Sequence, residues 1–244
     1  MAYETRNKGL RRWLKWLLVA IAVLVVLAVA GPFIYIHFFN STPAALSLPT
    51  GSPPASTATG AGTTNPADTG SVAGTWTVGS GSIVGYRVNE VLLGQSQTAV
   101  GRTTSVNGHM TISGTTVTGG SFSVPMATVH SDRPERDGQF DGRIMEVNLY
   151  PTATFTLTSP IELAPLPADG VITQYTAHGN LTLHGTTRAV TFTLSAERKG
   201  GQIEVSGDIP VVFADYHIEN PTYTPLVTTQ NHGLLEFLLV FNQA

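Results

Sequence analysis

The feature that most constrains the fold is a recurring alternation of apolar and polar residues. It is clearest in the stretch GNLTLHGTTRAVTFTLSA, residues 179–196, where two alternating runs flank a short polar turn. Side chains on a strand point alternately to its two faces, so this stretch is predicted to form a β-hairpin with one apolar and one polar face. The apolar face touches either a packed core or the wall of a cavity, and alternation alone does not distinguish the two.

Similar short runs recur from residue 74 to the end of the sequence, and glycine-containing turns separate many of them. With 25 Gly, 15 Pro and only 12% charged residues, the composition is typical of a turn-rich β protein. Eight or more strands at this spacing predict an all-β antiparallel sandwich or barrel. The one interruption is residues 131–151, where Phe140, Ile144 and Val147 have helical spacing and predict a short helical insertion.

The N-terminal region has a different pattern. Residues 1–15 carry five Lys or Arg, and residues 17–36 then run for 20 positions without a charge. A helix of that length spans roughly 30 Å, the thickness of the hydrocarbon core of a bilayer. We therefore expect a transmembrane helix over residues 16–39, with 1–15 cytoplasmic and the remainder outside the cell membrane. A signal peptide cleaved after residues 28–30 (Ala-Val-Ala) is the alternative.

A low-complexity segment follows this apolar run. Ser, Thr, Pro, Gly and Ala make up 27 of the 33 residues from 40 to 72. Such a composition buries too little apolar surface to fold, so the segment is predicted to be a disordered linker. The folded domain is then residues 73–244.

Few residues suggest chemistry. The chain has no Cys, its His residues lack the spacing of metal ligands, and residues 16–244 carry a net charge of −7, which argues against nucleic acid as a partner. Arg136, Asp137 and Asp141 are interpreted as helix-capping and salt-bridge residues, with contact of Arg136 to a ligand head group as the less favoured reading. His184 is expected to hydrogen-bond nearby backbone. Glu236 needs a partner if it is buried, or faces solvent at a barrel edge.

Three stretches carry a resemblance to a known family. They are LTLHGTTRAVTFTL (residues 181–194), Arg136-Asp137 followed by Tyr150-Pro151 and Phe155, and GTWTVGSGSIVGYRV (residues 74–88). Over nearly all of residues 74–244 the sequence resembles the YceI family. Members of that family are lipocalin-like β-barrels that bind polyisoprenoid lipids.

The resemblance implies an apolar tube inside the barrel that holds an isoprenoid-type lipid, such as a polyprenyl or quinone, without catalysis, cofactor or metal. We expect a membrane-anchored extracytoplasmic protein; the alternatives are an interaction module with a solidly packed barrel, or an enzyme acting on such a lipid. The residues expected to contact the ligand are Phe140, Ile144, Phe155, Leu181, Leu183, Phe192, Leu194 and Phe237.

Overall fold

The structure is a computed structural model that describes residues 4–34, 42–48, 71–92, 94–222 and 227–244. It contains one long helix, α1, followed by β-strands that carry a short helical insertion. The elements are α1 (Glu4–Ile34), β1 (Gly74–Val78), β2 (Ile83–Leu92), β3 (Gln95–Thr103), β4 (Asn107–Ser113), β5 (Thr116–Pro125), β6 (His130–Ser131), α2 (Pro134–Gln139), β7 (Thr152–Leu157), β8 (Ile161–Glu162), β9 (Thr173–Leu183), β10 (Thr186–Lys199), β11 (Gln202–Val212), β12 (Val227–Thr229) and β13 (His232–Gln243).

Eight of these strands close into an antiparallel barrel. Their order is β1-β4-β5-β7-β9-β10-β11-β13, and the C-terminal end of β13 pairs back to β1. The N-terminal half of β13 pairs instead with β2, from which β3 and β6 continue the sheet. An eight-stranded barrel has an interior just wide enough for side chains or one slender ligand. The expected all-β barrel is therefore confirmed.

The hairpin of residues 179–196 is formed by β9 and β10. His184 and Gly185 occupy its two-residue turn, both with positive φ (48° and 71°), which is the geometry of a type I′ turn. The turn fixes the register so that Phe192 lies opposite Ala177, and both side chains are buried inside the barrel. The inward and outward sets match the alternation of the sequence.

The helical insertion lies at one end of the barrel. It consists of α2 and a π-helical turn, Phe140–Ile144, in which the Met145 N–H donates to the carbonyl oxygen of Phe140 at 2.8 Å. Phe140 and Met145 pack among buried residues of the barrel interior. The predicted helical face is present, although the chain forms two short helical turns instead of one regular helix.

The N-terminal region differs in part from the expectation. α1 begins well before residue 16, and residues 35–39 of the expected span lie outside the described residues. In the parts of the chain that the structure describes, no helix combines the length and apolarity needed to cross a membrane.

Residues 42–48 depart from the expected disorder of the linker. They lie against the outside of the barrel, where Leu48 is 4% exposed. Residues 49–70 of the expected linker lie outside the described residues.

Candidate functional site

The barrel encloses a cavity of about 340 Å³. Its walls are almost entirely apolar side chains that point inward from the strands and from the helical insertion. A volume of this size falls within the range of small-molecule pockets. All eight residues proposed from the sequence line this cavity: Phe140, Ile144, Phe155, Leu181, Leu183, Phe192, Leu194 and Phe237. Their contact with a ligand stays a prediction.

A row of aromatic rings crosses the cavity wall. The Phe192 ring meets the rings of Phe155 and Phe237 edge to face, at centroid distances of 5.5 Å and 5.8 Å. Two glycines make room for this row. A Cβ atom at Gly179 would lie 2.2 Å from the Phe155 ring, and one at Gly207 would lie 2.8 Å from the Phe237 ring. The rings can therefore lie flat over neighbouring strands, which leaves the space at the centre of the barrel open.

The insertion closes onto the same cavity through a second aromatic pair. Tyr86 of β2 stacks on Phe140 with a centroid distance of 5.1 Å and an interplanar angle of 15°. The Tyr86 ring lies over Gly101, where a Cβ atom would approach it to 2.3 Å. Burial raises the pKa of Tyr86 well above its ordinary value, since the phenolate would lose its hydration. The tyrosine is therefore neutral at physiological pH.

A charged cluster adjoins this pair. Arg136 of α2 lies 3.2 Å from Glu90 of β2 and also pairs with Asp132, and Gln97 donates to Glu90 at 2.5 Å. Burial acts to lower the pKa of Arg136, but the two carboxylates outweigh it and the pKa is raised. Arg136 and Glu90 both line the cavity. They form a polar edge beside Tyr86, and Glu197 and Arg198 are further charged residues of the lining.

His184 holds the end of the barrel together. Its Nδ1 lies 3.2 Å from the carbonyl oxygen of Tyr216, and its Nε2 lies 2.9 Å from a carboxylate oxygen of Glu146. Both ring nitrogens of His184 are thus within hydrogen-bond distance of oxygen atoms. The expected backbone hydrogen bond is confirmed, while the link to Glu146 was not foreseen.

Asp137 has the structural role expected for it. Its Oδ1 accepts hydrogen bonds from the backbone N–H and the hydroxyl of Ser131, at 2.8 Å and 2.7 Å. This fastens α2 to β6 and not to a ligand. Among the described residues, no group of three or more His, Asp or Glu side chains could hold a metal ion.

Glu236 is buried on the outer face of β13, so of the two alternatives the one that requires a partner is confirmed. Its side chain is 1% exposed and pairs with Arg87 at 2.7 Å and with Arg102 at 3.4 Å. One local signal pointed to this cluster, a carboxylate in the apolar run LLEFLLVF. Its partners lie about 135 to 150 positions away and carry no local signal.

Comparisons with known proteins agree with this geometry. The family model of the YceI-like domain matches residues 76–241. A polyisoprenoid binding domain from Saccharophagus degradans, described as implicated in plant cell wall breakdown, is similar in structure with a TM-score of 0.58 and 18% identity. The match covers 69% of this chain and 98% of that chain.

Burkholderia cenocepacia BcnA has a TM-score of 0.49 and 18% identity, covering 64% of this chain and 95% of that chain. At 18% identity the likeness to the Saccharophagus degradans domain shows the fold alone. No curated protein matches the sequence.

Proposed function

This chain belongs to the family of YceI-like domains, and from that premise we propose that its barrel holds an isoprenoid-type lipid without altering it chemically. The observation that carries the proposal is the apolar cavity of about 340 Å³. Each CH₂ group moved from water into such a space contributes about 0.8 kcal/mol, so a chain of about a dozen offsets an association cost of roughly 4–15 kcal/mol.

The cavity also argues for an occupant on grounds of stability. Apolar volume that side chains leave unfilled is destabilising, and a bound apolar chain removes that cost. This supports carriage over the alternative of an interaction module with a solidly packed barrel.

The polar edge suggests how the lipid is oriented. Arg136 and Glu90 border the cavity beside Tyr86, while the aromatic row around Phe192 is apolar. An isoprenoid tail fits the apolar part, and a head group with both a donor and an acceptor fits the charged edge. A singly protonated polyprenyl phosphate meets this description, whereas a quinone offers acceptors only; the Arg136 guanidinium can donate to either.

The proposal is tested by extracting lipid from the purified protein and identifying it by mass spectrometry. Ala177 lines the cavity opposite Phe192. We expect Ala177→Phe to fill the space and to reduce recovered isoprenoid by at least about tenfold. Since the cavity absorbs the added volume, it should leave the melting temperature within a few degrees of the wild-type value.

Thr176→Phe is the matched control. Thr176 is exposed on the adjacent outward position of β9, so the same bulk there leaves the cavity open. Lipid recovery from this variant should equal that from the wild type. Wild-type protein that yields no isoprenoid, or equal loss from both variants, would rule out carriage in the cavity.

Membrane anchoring through residues 16–39 and an extracytoplasmic barrel complete the proposal. Apolar side chains on all sides of α1 are exposed, with Trp13 at 63%, Trp16 at 73% and Leu24 at 65%. Between residues 16 and 27 the described side chains of α1 are apolar and exposed, and such a surface is suited to lipid. Five basic residues in positions 1–15 support a cytoplasmic N-terminus.

The intact mass of protein extracted from membranes tests the anchor. We expect a mass that includes residues 1–39. A mature chain that begins at Gly31 would mean that the segment is a cleaved signal.

A further inference from the structure

Residues 42–48, called the strap below, are bound to the outside of the barrel through two arginines. Nη2 of Arg87 donates to the carbonyl oxygen of Pro43 at 2.9 Å, and Nη2 of Arg102 donates to the carbonyl oxygen of Ala44. Both contacts are made to backbone, so they fix the path of the chain independently of the side chains at these positions.

The other end of the strap is bound by burial. Leu48 is 4% exposed, although it belongs to a segment of low hydrophobicity, and its N–H donates to the hydroxyl of Ser206 at 3.2 Å. Ser206 is itself buried on the outward side of β11. Ser47, one position earlier, is exposed. Leu48 is therefore the side-chain anchor of the strap.

The strap binds to a single cluster of charged side chains on the outer wall of the barrel. Glu236, Gly85 and Arg102 are direct cross-strand neighbours on β13, β2 and β3. A Cβ atom at Gly85 would lie 2.9 Å from Cγ of Arg102, so glycine at this position lets the arginine side chain lie across β2 and reach Glu236. The two guanidinium groups that neutralise Glu236 also present the donors that bind the strap.

The side chains that bind the strap are themselves held in place by contacts with one another. A single carboxylate fixes two guanidinium groups, with N–O distances of 2.7 Å and 3.4 Å, and each then has an N–H donor left for a strap carbonyl. Hydrogen bonds with a charged donor are about twice as strong as neutral ones. Three polar contacts and one buried leucine thus bind seven residues.

We propose that the strap is a docking element that holds the barrel at a fixed place close to the end of α1. From Ile34 to Thr42 the chain spans at most about 29 Å, whereas from Ile34 to Ser71 it would reach well over 100 Å if nothing held it. Docking therefore limits the distance between barrel and helix. It also presents one side of the barrel, the wall of β3, β2, β13 and β11, towards the helix. The position relative to a membrane rests on the proposed anchor, whereas the docking itself does not.

Hydrogen exchange of the full-length protein in nanodiscs tests the docking. We expect the Leu48 amide to exchange at least about tenfold more slowly than in a free peptide of the same sequence. Leu48→Asp should return exchange across the strap to the free-peptide rate. Ser47→Asp adds the same charge at the exposed neighbouring position and should keep the protection. Free-peptide rates in the wild type, or equal loss in both variants, would overturn the proposal.

A distance measurement tests the consequence. The chain has no Cys, so Thr193→Cys on the exposed outer face of β10 gives a single labelling site on the barrel. With a fluorescent label there and acceptor lipids in the nanodisc, we expect one narrow distance distribution. Leu48→Asp should broaden it towards longer distances, and Ser47→Asp should not. A distribution that is equally broad in all three proteins would contradict a fixed position.

The two proposals fail separately. Ala177→Phe changes only the inside of the barrel, so protection of the Leu48 amide should persist in it even though lipid is lost. Protein that carries no lipid but protects the strap would refute only carriage. Protein that carries lipid with an unprotected strap would refute only docking.

Discussion

The inner and outer faces of β13 both hold residues shielded from solvent, but for opposite chemical reasons. Leu235 and Phe237 point inward and line the apolar cavity. Glu236, between them, points outward and is covered as part of an ion cluster with Arg87 and Arg102. Burial on the inner face follows from closure of the barrel. Burial on the outer face depends on particular side chains and on the strap.

This contrast separates two ways in which a β-strand is stabilised. Apolar burial has no direction, so the inner face tolerates a change of shape as long as it stays apolar and the volume can be accommodated. A buried carboxylate must keep its partners, because the loss of one leaves an unpaired charge. The inner face is thus suited to a ligand of variable shape, and the outer face to one fixed partner.

The largest expected effect is a charge on the inner face. Phe192→Asp places a carboxylate between the rings of Phe155 and Phe237, and we expect the domain to lose more than about 4 kcal/mol of stability or to unfold. Thr193→Asp, on the exposed outer side of the same strand, should change stability by less than about 0.5 kcal/mol. Urea denaturation measures both. Similar values for the two variants would mean that the inner face is open to water.

Removal of the outer carboxylate should have the next largest effect. Glu236→Ala leaves Arg87 and Arg102 close together with only the exposed Asp208 as a nearby negative charge, and we expect a loss of about 2–4 kcal/mol, reduced from the fully buried case because both arginines are partly exposed. Glu162→Ala removes an exposed carboxylate that bonds Thr116 and is the control, with a loss below about 1 kcal/mol. Equal losses would show that the outer cluster has no special role.

The His184 link ties the turn between β9 and β10 to Tyr216 and Glu146, and its removal should rank third. His184→Ala removes bonds to the Tyr216 carbonyl and to Glu146, and we expect a loss of about 1–3 kcal/mol in thermal denaturation. His178→Ala removes one exposed bond to Thr191 and should cost well under 1 kcal/mol. A smaller effect at position 184 than at 178 would contradict a structural role for the turn.

The same contrast explains what could be predicted from sequence. The hairpin, the barrel and the inward positions of Phe192 and Leu181 follow from alternation, which is a local property of each strand. The resemblance to a known family supplied the cavity, which alternation could not distinguish from a packed core. The eight residues proposed from the sequence all line it.

The ion cluster on the outer face could not be predicted from local sequence patterns. Glu236 attracted notice as a charge in an apolar run, but its burial depends on Arg87, Arg102 and the strap, which are distant in sequence. The strap could not be predicted from the composition of its segment. A single leucine at position 48 does not raise the hydrophobicity of a segment rich in Ser, Thr, Pro, Gly and Ala, yet one buried side chain and three hydrogen bonds to outer-wall side chains suffice to dock it.

The smallest expected effect concerns Asp208, the direct cross-strand neighbour of Glu236 on β11. Burial, and next the charge of Glu236, raise the pKa of Asp208 above its ordinary value of 3.8, although Arg87 opposes them. The folded state therefore holds this proton more tightly than the unfolded state does, so an ionised Asp208 lowers stability above the raised pKa, and the loss disappears as the pH falls to the ordinary value. Asp208→Asn should stabilise the protein at pH 7 by less than about 1 kcal/mol, since the residue is largely exposed, and this gain should vanish near pH 3. Urea denaturation at the two pH values measures the difference. A variant that is instead destabilised at pH 7 would show that attraction to Arg87 dominates, and that Asp208 belongs with Glu236 to the ion cluster beneath the strap.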